Sequence, residues 1–334
     1  MDEQLRDPAV TAVEQCLALE ADESFVAVTD RKREHIAEAL YEVASEITDD
    51  VTLVRYPPGP EHGAEPPAPV AAAMAGADVV LVPTTKSLSH TTARAEATAN
   101  GARAATLPGI TETVFLTGLN ADYEQIAAAC EGVLAQVGDA EELRVTSPQG
   151  TDITLRPGDR DWLPDTGIVH EPGDFSNLPA GEVFISPETA DGRVVVDGTM
   201  RPHGRLDDRQ VAFTVENGRV TDIEDEAVSE AVADAADRAG DDVYNLAELG
   251  IGTNVAVTEL VGSVLLDEKA GGTVHVAIGD DHAIGGYVAV SLPLGGFLAG
   301  TKVLPHGAET HLPHPRCAGF PPYGPATLGR AGAV

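Results

Sequence analysis

Residues 245–286 read NLAELGIGTNVAVTELVGSVLLDEKAGGTVHVAIGDDHAIGG, and this stretch gathers Glu248, Asp267, Glu268, His275, Asp280, Asp281 and His282 among glycines and short β-branched runs. Carboxylate oxygens and imidazole nitrogens presented from strand ends and tight turns are the donors that a divalent transition metal takes. An ordinary acidic surface with one buried histidine is the competing reading, because Asp and Glu are abundant along the whole chain. A second polar cluster, Thr84, Thr85, Ser87, Ser89, His90, Thr91 and Thr92, follows the apolar run ADVVLVP. Open α/β sheets place ligands at such strand ends, and a hydroxyl-rich helix cap explains the same residues.

The elements that must carry these residues fall into two styles. Residues 8–19 have apolar side chains at helical spacing (Val10, Val13, Leu17), 24–28 form a short apolar strand, and 31–47 a helix with Ile36, Leu40, Val43 and Ala44 on one face. A strand at 50–55, a proline-rich loop, a helix from 70, the strand 77–83, a helix at 91–100, a strand at 102–107 and a helix at 123–136 continue the alternation. Repeated strand and helix with short connections predicts a parallel sheet covered by helices, an α/β Rossmann-like domain over residues 1–138. No GxGxxG follows its first strand, so a dinucleotide cofactor is not expected.

From residue 139 the pattern changes to short strands at 143–146, 152–155, 182–186, 193–197, 211–216 and 219–223, with Asn217-Gly218 as a hairpin turn and one helix at 225–238. This predicts a β-rich α+β domain over 139–304 that carries the metal-type residues. The last segment, 305–334, is rich in Pro, Gly and His without periodicity and is expected to be an irregular tail.

Composition narrows the function classes. The 54 acidic against 21 basic residues give a net charge of −33, with Lys32, Lys86, Lys269 and Lys302 as the whole lysine complement. A field of that sign repels phosphate backbones and anionic lipid, so nucleic-acid and membrane partners are not expected. Acid spread along the chain with little lysine resembles the protein style of halophilic archaea, where salt screens the self-repulsion of a carboxylate surface. The N-terminal MDEQLRDPAV has no signal-peptide character, and no apolar run approaches the roughly 18 residues of a membrane span. A cytoplasmic protein is expected. Cys16, Cys130 and Cys317 lack CxxC spacing and are expected to be reduced and structural.

Four blocks in order, SLSHTTARAEATANGARAATLPGI, AGEVFISPE, NLAELGIGTN and LLDEKAGGTVHVAIGDD, resemble the thermophilic-type metalloaminopeptidases, the aminopeptidase T and S group. The 2,5-dihydroxypyridine dioxygenases share that architecture. The resemblance implies an α/β first domain, a β-rich second domain of the aminopeptidase T type, and a homodimer. It also implies metal ligands at Glu182, Glu248 and His275, with His282 where family aminopeptidases have tyrosine. Carried over with them are catalytic roles: Glu248 or Glu268 moving a proton, and His282 ligating or stabilising an oxyanion. For Glu268, a surface pair with Lys269 is the alternative. Asp280 and Asp281 are expected at the surface.

The chain departs from the family where a His-x-Asp element should follow. VSLPLGGFLAGTKV puts Leu292 and Leu294 in those places, and leucine cannot bind a metal. The expected reaction is hydrolysis of an N-terminal peptide bond of a small peptide by water activated on zinc, cobalt or manganese, with one ion or none. The alternatives are an iron-dependent ring-cleaving dioxygenase acting on a small aromatic substrate, and a non-catalytic small-molecule binding protein on the same fold. His306, His311 and His314 in the tail are more simply read as exposed than as replacement ligands.

Overall fold

The computed structural model describes residues 2–290 and the backbone of the strands Phe297–Thr301 and Thr327–Gly329. Leu292, Leu294, His306, His311, His314 and Cys317 lie outside the described residues. The chain divides into two compact units, one of Met1–Ala127 with Thr166–Ala180, the other of Ala128–Asp165 with the chain from Gly181 onward. Among the described residues no helix is long and apolar enough to cross a membrane.

In the first unit a five-stranded parallel sheet has the spatial order Val51–Arg55, Phe25–Thr29, Val79–Thr84, Arg103–Pro108, Phe175–Asn177. The strands Phe25–Thr29 and Val79–Thr84 are buried along their whole length, which is what an apolar run without alternation requires of a sheet covered on both faces. Val26, Val28, Val80 and Val82 pack with Tyr56, Met74, Leu88 and Ala97 on one side of it. Each large side chain so buried contributes about 1.5–3 kcal/mol relative to exposure. The helix Glu34–Ala44 buries Ile36, Leu40 and Val43, the face its spacing predicts.

Two details differ from expectation for local reasons. The first helix spans Glu3–Val10 and continues as a π-helical segment through Cys16, beginning well before residue 8, because the Asp2 carboxylate accepts a hydrogen bond from the Gln4 N–H and caps it. Pro8 therefore sits inside the helix, where it removes one rung. A further helix, Glu112–Gly118, is capped by the Thr111 hydroxyl accepting from the Val114 N–H. Seven residues are too few to display a period.

The second unit has two antiparallel sheets. One runs Arg219–Ile223, Val211–Glu216, Thr189–Val196, Asp152–Arg156, Leu143–Thr146, Thr327–Gly329. The hairpin between its first two strands turns at Asn217 (φ 52°) and Gly218 (φ 75°), the left-handed pair that Asn-Gly favours. The other sheet runs Gly204–Arg205, Thr199–Met200, Phe297–Thr301, Val274–Ile278, Leu246–Gly252, Glu182–Ile185, Leu163–Asp165. The helix Glu226–Ala239 is capped by Asp225 and buries Val228, Val232 and Ala235 at helical spacing. Cys16 and Cys130 are buried and form no disulfide among the described residues.

Candidate metal centre

The site is built on three adjacent strands of the seven-stranded sheet. In Leu246–Gly252 the residues Glu248, Gly250 and Gly252 share one face, while Leu249 and Ile251 are buried on the other. Across the ladders Gly252 pairs with Glu182, Gly250 pairs with His275, and Glu182 pairs on its other side with Asp165. A bulge between Leu246 and Glu248 shifts the register at the strand's entry, a device that re-aims side chains. ELGIG is thus a row of one ligand-type side chain and two gaps.

The gaps are required. A Cβ on Gly250 would stand 2.1 Å from both Cε1 and Nε2 of His275, so the imidazole occupies the space that any other residue would fill. A Cβ on Gly252 would stand 2.2 Å from the Ala270 carbonyl oxygen. That lets the turn carrying Glu268 and Lys269 pass close by, where the Asn254 N–H donates to the Lys269 carbonyl at 2.8 Å.

His275 Nε2 lies 3.0 Å from Glu248 Oε1 and 3.2 Å from Glu182 Oε2. The His275 and Glu182 side chains are 1% and 7% exposed, and Glu248, at 18%, is the member that reaches solvent. Lys269 is buried too: its ammonium bonds Glu182 Oε1, bonds Glu268 Oε1 at 2.8 Å and lies 3.7 Å from Asp165 Oδ2. Burial pushes the Glu182 carboxyl up against the pull of Lys269 and His275, and it raises Glu268 in the same way. Burial works to lower Lys269 and His275, but the carboxylates around them outweigh it and hold both above their ordinary values. The raised Lys269 and His275 report the negative charge gathered around them.

The donor set fits a divalent ion. Donors about 2.0–2.2 Å from one ion stand roughly 3 Å apart, as each carboxylate does from His275 Nε2. Glu182, Glu248 and His275 offer ligand atoms that all lie within 4.8 Å of one another. One proton on Nε2 can serve only one of the two carboxylates, and Glu182 Oε2 is buried without a hydrogen-bond partner, as is His275 Nδ1. Four carboxylates (Glu182, Glu248, Glu268, Asp165) face one ammonium and one imidazole, an imbalance that a divalent cation reduces.

The structure thus brings Glu182, Glu248 and His275 together and adds Glu268 beside them through Lys269. It does not bring His282 to that group: His282 is exposed at the start of the short helix His282–Ile284. Asp280 is exposed as expected, but Asp281 is 2% exposed, because Arg160, Ser186 and Asn245 surround its carboxylate. Asp165 meets Glu182 through strand pairing and Lys269 reaches both from the turn after Val264–Asp267, so no local spacing marks either residue. Cys130 donates toward the Glu182 carbonyl at 3.5 Å and lies 3.2 Å from the Thr253 hydroxyl, and burial pushes its thiol up to about 11.

Residues 10–260 match the family model described as NicX, 2,5-dihydroxypyridine 5,6-dioxygenase. The fold is similar to 2,5-dihydroxypyridine dioxygenase from Pseudomonas putida KT2440, with a TM-score of 0.72 at 18% identity over 90% of this chain and 92% of that one. It is also similar to wild-type AmpT from Thermus thermophilus, with a TM-score of 0.65 at 17% identity over 90% and 93% of the two chains. No curated protein matches the sequence. The family match includes Glu182 and Glu248 and stops short of His275.

Proposed function

The chain belongs to the 2,5-dihydroxypyridine 5,6-dioxygenase (NicX) family, and from that premise we propose that it is a metal-dependent enzyme opening the ring of a small dihydroxylated aromatic or pyridine substrate with dioxygen. The observation that carries this reading is the convergence of one imidazole and two carboxylates on a single point. Three donors leave coordination positions free, which suits a non-haem ferrous site. When bound, ferrous iron supplies the redox chemistry and the positions at which substrate and dioxygen bind.

The chain's own residues do the rest. Glu182, Glu248 and His275 hold the ion, and the partial exposure of Glu248 marks the side from which substrate arrives. Glu268 keeps a buried oxygen, Oε2, without a hydrogen-bond partner, and this atom is suited to accept a proton from a ring hydroxyl. The small aromatic substrate class follows the family, and a homodimer follows the resemblance in sequence.

A second reading, hydrolysis of an N-terminal peptide bond on zinc, cobalt or manganese, is favoured by the similarity to AmpT. There Glu268 Oε2 would pass the proton to the leaving amine. Protein purified in high salt without chelator, loaded anaerobically with each metal, separates the two. Iron-dependent oxygen uptake with loss of the ring absorbance of 2,5-dihydroxypyridine or a related diol supports the first. Cleavage of aminoacyl-arylamides without oxygen uptake replaces it with the second, and failure to bind any of these metals sinks both.

A further inference from the structure

Lys269 is a cation enclosed by carboxylates. Its side chain is 4% exposed; two of its three N–H donors are taken, by Glu182 Oε1 and by Glu268 Oε1 at 2.8 Å, and the ammonium also forms an ion pair with Asp165 Oδ2 at 3.7 Å. Enclosed in this way and nearly out of solvent, the ammonium acts through its neighbours. The consequence lies in which oxygens remain. Lys269 takes Oε1 of both glutamates, and Oε2 of both is buried without a hydrogen-bond partner. Glu182 Oε2 is the one that stands 3.2 Å from His275 Nε2.

We propose that Lys269 is the positioning residue of the metal centre, a resident cation that occupies Oε1 of Glu182 and so restricts this ligand to a single oxygen, Oε2, while holding Glu268 beside it in the same orientation. With one carboxylate oxygen engaged by the ammonium, Glu182 can neither chelate one ion through both oxygens nor bridge to another through Oε1. The position enclosed by Glu182, Glu268 and Asp165 is itself an all-oxygen cation site of the kind divalent metals take, and the ammonium keeps them out of it. This inference rests on the metal-site reading, and its test separates the two.

The experiment measures Co(II) and Mn(II) stoichiometry by titration, with the visible spectrum of the cobalt form and the paramagnetic resonance spectrum of the manganese form, for the wild type, Lys269→Met and Lys269→Arg. In Lys269→Met the charge leaves while the volume stays. The variant is expected to bind one more equivalent than the wild type, with a changed cobalt spectrum as Glu182 gains its second oxygen. Lys269→Arg keeps the charge and is expected to keep the wild-type stoichiometry, while the bulkier guanidinium changes the cobalt spectrum. If Lys269→Met does not fold, the arginine variant decides by itself: an added equivalent or an unchanged cobalt spectrum overturns the proposal. Wild-type stoichiometry and spectrum in a folded Lys269→Met protein overturn it as well. A wild type that binds neither ion defeats the metal reading beneath it.

Discussion

Both units bury charged and hydroxyl groups at the ends of their strands, but among the described residues only the second leaves buried carboxylate and imidazole atoms without a hydrogen bond. In the first unit Asp30 is fully buried, and both its oxygens are taken: Oδ1 accepts from the Lys32 N–H and the Thr85 hydroxyl at 2.9 Å each, and Oδ2 from the Thr85 N–H at 2.5 Å. Ser89, Thr106 and Asn177 close a triangle at 2.6–2.9 Å. In the second unit Glu182 Oε2, Glu268 Oε2 and His275 Nδ1 have no hydrogen-bond partner. A buried polar group left unpaired costs about 1–3 kcal/mol. A closed network ties loops together; an open one holds binding capacity in a dry place at the expense of stability. The hydroxyl cluster after residue 83 and the acidic stretch after 245 look alike as sequence, and this difference is what separates them.

The largest expected effect tests the open cluster. Glu248→Ala removes one of three donors and the only one reaching solvent, so bound metal is expected to fall below stoichiometric and activity by about a thousandfold or more, roughly 4 kcal/mol of transition-state stabilisation. Elemental analysis and turnover with the metal-loaded protein measure this. A variant that keeps full metal content and activity would remove Glu248 from the centre.

Asp30→Ala tests the closed one. The Lys32 N–H, the Thr85 N–H and the Thr85 hydroxyl lose their acceptor, and a destabilisation of roughly 2–4 kcal/mol is expected. It would appear as a lower urea midpoint, with wild-type metal stoichiometry in the folded protein. Loss of metal with unchanged stability would reverse the comparison, making Asp30 functional. Between these lies Gly250→Ala, whose Cβ collides with the His275 ring. It is expected to weaken metal binding about 10–100-fold, the range typical of disturbed ligand orientation, while overpacking costs about 1–3 kcal/mol. Metal titration against thermal unfolding separates the two components.

Which parts of this were legible follows from range. Burial of Val79–Thr84 and the turn at Asn217-Gly218 are local consequences of local sequence. Glu248 and His275 stood out from the general acidity through the blocks around them, and the structure pairs Gly250 with His275 directly. The short strand Phe175–Asn177, which joins the parallel sheet from a segment that otherwise reads as β-rich, carries no period of its own. Lys269 has an acidic neighbour in the sequence and reads equally well as a surface pair with Glu268. What buries it is the pairing of Asp165 with Glu182, residues roughly ninety to a hundred positions away, and no spacing rule connects them. Asp281 departs from its expected surface position for the same reason, since its partner Arg160 lies on a distant loop.

The smallest effect concerns the ion pair Arg103–Glu23 in the first unit, 9% and 19% exposed, joined by two hydrogen bonds at 2.7 Å each. The hydrogen bonds from Arg103 hold the Glu23 carboxyl below its ordinary value, against the opposing effect of burial. A carboxyl with a depressed folded-state value stabilises the fold above its unfolded value, near pH 4, and loses that contribution as pH falls through the folded value. Glu23→Gln is therefore expected to be less stable than the wild type by about 1–2 kcal/mol at neutral pH. The two proteins should converge in stability as the pH drops below the ordinary carboxylate range. Urea unfolding from pH 7 to pH 3 at constant high salt measures the difference, and a gap that widens on acidification would contradict the assignment. Metal binding at neutral pH should not change, because this pair, like Asp30, has no capacity left to offer a ligand.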